Sequence, residues 1–185
     1  MSAANKRSFQ TLELAYMAIG AVLIALCSWI SIPASVPFTM QTFAVFLVLS
    51  LLGGKRGTVS VLLYILLGAV GIPVFAGFSS GVGILLGSTG GYIVGFLLMG
   101  LAYWLLTRCL GTGWRAEALA MIVGLALCYA LGTAWFMVVY ARANGPVALT
   151  AVLSWCVFPF IVPDLVKLGL ALVLSRRLAP ALKIS

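Results

Sequence analysis

Six apolar runs separated by short turns leave this chain few ways to fold. They cover residues 12–30, 38–52, 58–72, 91–107, 118–140 and 149–174. A helix that crosses a bilayer needs about 20 residues, so 185 residues accommodate six crossings with short loops and no further soluble domain. Charged residues make up 8% of the chain, against roughly 25% in a soluble domain. So few charges cannot cover a water-facing surface, but they suffice for a lipid-facing one. The expectation is an all-α integral membrane bundle of six transmembrane helices, a single domain over residues 1–185. The run from Leu12 to Ile32 follows Lys6 and Arg7. It exceeds the ~7–15 apolar residues of a cleaved leader and is read as the first permanent span.

The basic residues give the bundle a direction. Lys6, Arg7, Lys55, Arg56, Arg108, Arg115, Arg176, Arg177 and Lys183 fall on one side if there are six spans, and only Arg142 falls on the other. Cytoplasmic loops favour Lys and Arg, so both termini are expected in the cytoplasm and the chain in the cytoplasmic (inner) membrane. The formal charge of +8 is spread in ones and twos between apolar runs. Nucleic-acid binders instead gather such residues on one solvated face.

Spans two and three are short. About 15 residues reach roughly 22 Å of a core roughly 30 Å thick. Their outer ends adjoin the Pro- and Gly-rich segments 33–37 and 73–91. Irregular backbone at membrane depth persists where protein buries it or where it lines a cavity. A lidded pocket near the outer face is therefore expected, with exposed loops of a short-helix bundle as the alternative. Small residues recur at four-residue spacing in Gly87, Gly91 and Gly95, in Gly124, Cys128 and Gly132, and in Ala21 and Ala25. Such rows allow close helix packing.

Catalytic and metal chemistry find little material. There is no histidine, the acids are Glu13, Glu117 and Asp164 only, and the four cysteines form no C-x-x-C pair. No disulfide, metal site or cofactor is assigned. No phosphate-binding G-x-x-x-x-G-K-[ST] loop is present, so any ATP is hydrolysed by another polypeptide. The chain reads as a carrier or solute-binding subunit, not an enzyme.

Asp164 and Lys167 are the acid and the base set well inside an apolar span. Ionised groups at that depth are costly and normally face a cavity or a partner. A spacing of three puts both on one helix face. Pro163 precedes Asp164, so span six is expected to break there, with Asp164 in the first turn of its second piece. The pair reads as a donor–acceptor clamp for a small solute, as a self-satisfied ion pair that locks the bundle, or as the seat of a proton-coupling carboxylate. Thr39, Gln41, Ser79, Ser80, Ser88, Thr89 and Tyr92 can add uncharged hydrogen bonds, with Phe38, Phe75 and Trp155 as apolar walls.

Four stretches resemble a known family. They are Val36-Pro37-Phe38-Thr39-Met40-Gln41-Thr42; Gly53-Gly54-Lys55-Arg56-Gly57 running into Leu62-Leu63-Tyr64; Gly71-Ile72-Pro73-Val74-Phe75 with Leu86-Gly87-Ser88-Thr89-Gly90-Gly91-Tyr92; and Asp164-Leu165-Val166-Lys167. Over residues 15–174 the chain is similar to the BioY family, biotin-specific substrate-binding (S) components of energy-coupling-factor (ECF) transporters. Ser88 and Val162-Pro163 depart from the family pattern, which has Pro before Thr-Gly-Gly and Pro-Gly before the Asp. The resemblance implies six helices and a biotin site near the outer face, capped by the loop after span one. Asp164, Lys167, Tyr92, Gly91, Thr39, Gln41, Phe38 and Phe75 would form that site. It also implies a transmembrane coupling protein and a pair of cytoplasmic ATPases, with Ala21 and Ala25 meeting the coupling protein. An S component for another vitamin, a small proton-coupled carrier, an intramembrane lipid-modifying enzyme and a ligand-free scaffold are the rival readings.

Overall fold

The structure is a computed structural model that describes residues 3–33 and 36–180, with side chains from Thr11 onward. Ala34, Ser35 and Lys183, and the side chains of Lys6 and Arg7, lie outside the described residues. Helix α1, Ala3–Trp29, leads into a hairpin of two short antiparallel strands. These are β1, Ser31–Ile32, and β2, Phe38–Thr39, with Ser31 opposite Thr39. Helix α2 spans Gln41–Ala69. A 3-10 turn, Ala76–Phe78, and a short helix α3, Val82–Leu86, precede α4, Gly90–Leu110. The chain ends in α5, Trp114–Asn144, α6, Leu149–Cys156, and α7, Phe158–Leu178.

Helix α2 is two limbs, not one rod. Gly53 has φ 77 and ψ 169, outside helical space, and divides 41–52 from 54–69. Gln41 Nε2 donates to Tyr64 Oη at 2.9 Å. Along a continuous helix those residues would lie roughly 34 Å apart, so the limbs run antiparallel. Gly57 then sits so near the first limb that a Cβ there would come within 2.9 Å of Leu49 Cα. The left-handed φ at Gly53 suits glycine alone without strain. Among the described residues five helices are long and apolar enough to cross a membrane, with α2 and the α6–α7 pair counted once each. With α2 counted as two limbs and the α6–α7 pair once, the bundle has six helical segments.

Glycines set how close the helices come. Gly95 lies against Cys128, where a Cβ would be 2.8 Å from Sγ and 3.1 Å from Cα, and Gly124 lies against the Met99 backbone. Gly132 leaves room for the Tyr92 ring and Gly91 for Trp135. Gly91 and Gly95 with Gly124, Cys128 and Gly132 therefore zip α4 to α5, while Gly87 precedes α4 and lies against Gly83 and Ile84. The core holds Phe46, Leu49, Tyr64 and Met99, all fully buried, while Leu14, Ile19, Leu105 and Val162 point outward and are more than half exposed. An apolar exterior of this kind belongs in lipid.

Two expectations are corrected. The break in span six falls at Val157 (φ -126, ψ -59), not at Pro163. Pro159 lies in the first turn of α7, where its missing N–H is not needed. Pro163 withholds a single hydrogen bond and the helix runs through it, so Asp164 lies beyond the first turn. Ala21 and Ala25 are 1% and 6% exposed and belong to the core. They pack inside the protein and offer no face to a partner. Among the described side chains, the exposed positions of α1 are Thr11, Leu12, Leu14, Ala15, Ala18, Ile19, Val22 and Leu26.

Candidate functional site

A cavity of about 180 Å³ opens at the end of the bundle opposite the Gly53 turn. Its polar lining is Thr39, Gln41, Thr42, Ser79, Thr89, Tyr92, Tyr129, Asp164 and Lys167, and its apolar walls include Phe75, Ile93, Phe96, Leu125 and Phe160. Val36 and Pro37 of the hairpin connection close one side. The segment after α2 is pinned from below. Trp29 Nε1 donates to the Pro73 carbonyl at 2.9 Å, and Ser28 Oγ to the Val74 carbonyl. The Phe75 ring is thereby held edge-on to Tyr64, with centroids 5.5 Å apart.

Asp164 and Lys167 form the polar centre. Lys167 Nζ lies 2.8 Å from Asp164 Oδ1, and the two side chains are 6% and 4% exposed for Lys167 and Asp164. Each charge has further partners. Lys167 Nζ donates to the Thr39 carbonyl at 2.8 Å and stands 4.2 Å from the centre of the Phe38 ring. Asp164 Oδ2 accepts from Tyr129 Oη at 2.6 Å. A carboxylate offers about four lone-pair sites, so Asp164 keeps acceptor capacity after both bonds. The three donor hydrogens of Lys167 are nearly all committed. The centre therefore suits a solute that brings N–H groups, with apolar walls for the rest of it.

The structure brings most of the candidate residues together. Thr39, Gln41, Phe75, Tyr92, Asp164 and Lys167 line the cavity. Phe38 stands behind it, stacked on Phe160 at 5.9 Å. Gly91 does not line it; its missing side chain admits Trp135 between α4 and α5. Trp155 is no wall of it either: it is 44% exposed and tilted against Tyr140 elsewhere on the surface. Ser80 and Ser88 also lie off the cavity. The sequence reading missed Tyr129, Cys128, Cys156 and Thr42. Tyr129 was findable, because a phenolic hydroxyl in the middle of an apolar run needs a partner as much as a carboxylate does.

Comparison with known proteins gives a consistent picture. The BioY family model matches residues 2–184. A Thermotoga maritima protein named as the biotin transporter BioY is 40% identical over 162 residues, covering 84% of this chain and 89% of that protein. A Pyrococcus horikoshii protein named as a probable biotin transporter BioY is 38% identical over 167 residues, covering 90% and 95%. Among solved structures, the S-component for biotin from an ECF-type ABC transporter superposes with a TM-score of 0.80 at 27% identity, covering 97% of this chain and 95% of that one.

Proposed function

The chain belongs to the BioY family, and from that premise we propose that it takes up biotin as the solute-binding S subunit of an ECF transporter. It is a multi-pass membrane transport component and not an enzyme. The observation that carries the site assignment is the buried Asp164–Lys167 pair, bonded to the half-buried Tyr129, in a cavity with apolar walls. Biotin supplies two ureido N–H donors, an apolar sulfur-containing bicycle and a carboxylate tail. The spare acceptor sites of Asp164 suit the ureido N–H groups. Phe75, Phe96 and Leu125 suit the bicycle.

The positive-inside asymmetry supports a cytoplasmic-membrane location with both termini in the cytoplasm, so the cavity faces outward. Energy then comes from a transmembrane coupling protein and a pair of cytoplasmic ATPases. The exposed face of α1, in place of Ala21 and Ala25, is what that helix offers the coupling protein.

Equilibrium binding of radiolabelled biotin to the purified protein in detergent tests the reading. The expected result is about one biotin per chain, displaced by desthiobiotin and unaffected by thiamine or riboflavin. A folded, monodisperse sample that binds none would overturn it. Tyr129→Phe is expected to weaken binding roughly tenfold, the scale of one hydrogen bond to a charged group. Unchanged affinity in that variant would remove Tyr129 from the site.

A further inference from the structure

A second cavity, of about 660 Å³, lies at the opposite end of the molecule, over the Gly53 turn. Met17, Leu52, Val59 and Trp104 give it apolar walls, and Lys55, Arg56, Arg108 and Glu13 supply its charges. Arg56 is held by Glu13 at 2.6 Å. Lys55 and Arg108 form no ion pair among the described residues. The groove thus presents two uncompensated cations above apolar walls. Its floor is closely packed: α2 meets α4 so nearly at Gly54 that a Cβ there would lie 2.5 Å from Trp104 Cα. Continuing away from the charges, Leu62 and Leu66 of α2 and Leu101 and Leu105 of α4 face outward, 39% to 64% exposed.

Cations at one end, an aromatic wall at the level of the turn and outward leucines beyond match one kind of ligand, an anion attached to hydrocarbon. We propose that this groove seats one acidic glycerophospholipid of the adjoining leaflet. Its phosphate lies between Lys55 and Arg108, and its acyl chains lie against Leu66 and Leu105. Basic pockets between transmembrane helices bind anionic headgroups in this way. A free phosphate would leave the apolar walls unused. A zwitterionic lipid would bring its own cation to Lys55 and Arg108.

Native mass spectrometry of the detergent-purified full chain tests this with phosphatidylglycerol, phosphatidylethanolamine and glycerol 3-phosphate as probes. One phosphatidylglycerol should be retained, phosphatidylethanolamine at least tenfold less, and glycerol 3-phosphate should not compete. The double variant Lys55→Ala/Arg108→Ala should lose phosphatidylglycerol roughly tenfold, since each basic residue near a headgroup adds to attraction. Its biotin binding should be unchanged, which reports that it folds. Arg176→Ala/Arg177→Ala removes the same charge elsewhere and should retain the lipid. The proposal is overturned if the groove variant holds phosphatidylglycerol like the parent, or if the Arg176/Arg177 variant loses it equally. Equal retention of phosphatidylethanolamine, or displacement by glycerol 3-phosphate, would overturn it too.

Discussion

Lys167→Ala should abolish measurable biotin binding and lower stability by about 3–5 kcal/mol, the scale of breaking a buried ion pair by removing one partner. The ammonium touches three groups at once: Asp164 Oδ1, the Thr39 carbonyl and the Phe38 ring. Alanine leaves the Asp164 carboxylate buried with Tyr129 as its remaining donor. Asp164→Asn should be nearly as damaging to affinity, by about a hundredfold or more, because it replaces a charged acceptor with a weaker neutral one and leaves Lys167 uncompensated. Unfolding in detergent and biotin titration, run side by side, separate the clamp from a purely structural lock. The variant Asp164→Leu/Lys167→Met removes both charges, so stability should return toward that of the parent while binding stays lost. If Asp164→Asn binds biotin like the parent and only its stability changes, the pair is a lock and the clamp is wrong.

Gly90→Ala is expected to be the most harmful single methyl added to the outer end of the bundle. A Cβ on Gly90 would run into the Leu85 carbonyl and backbone. Backbone cannot rotate aside as a side chain can, so α3 has to shift. Ile84 of that helix lines the cavity, as do Thr89 and Tyr92 on either side of the glycine pair. Overpacking of this kind costs typically 1–3 kcal/mol, and biotin affinity should fall about tenfold or more with it. Gly83→Ala is the matched control. It lies in α3, the helix that Gly90→Ala would push, with nothing within 4 Å of the added carbon, and should be neutral or slightly stabilising. Thermal unfolding and biotin titration of the two variants check the contrast; equal behaviour would mean that the α3–α4 corner is not a packed support for the site.

How much of this was legible in the sequence depends on which force fixes each feature. The six segments were readable because length and charge placement are set by the bilayer itself. The return of α2 at Gly53 was readable because glycines and cations punctuate it. Asp164 and Lys167 were readable because ionised groups are rare at that depth and share a helix face. The outward rotation of α1 was not. Lipid is as apolar as a protein core, so residue hydrophobicity does not tell that Ala21 and Ala25 face inward and Ala15 and Ala18 outward. The break at Val157 was misplaced because two prolines compete for it, and only the geometry shows that Pro159 occupies the position where a helix tolerates one. The Tyr129 hydroxyl signals in the sequence that it needs a partner, but which partner is set by the fold, because it comes from α7, 35 positions away in the chain.

The bond from Lys167 to the Thr39 carbonyl has a thermodynamic consequence. One ammonium serves both the cavity and the hairpin that borders it, so the two are linked equilibria. A solute that engages Asp164 alters the pairing of Lys167 and so how firmly Thr39 is held, and by reciprocity any agent that displaces the hairpin changes solute affinity by the same factor. Whatever displaces the hairpin would thus change the retention of the solute without touching it.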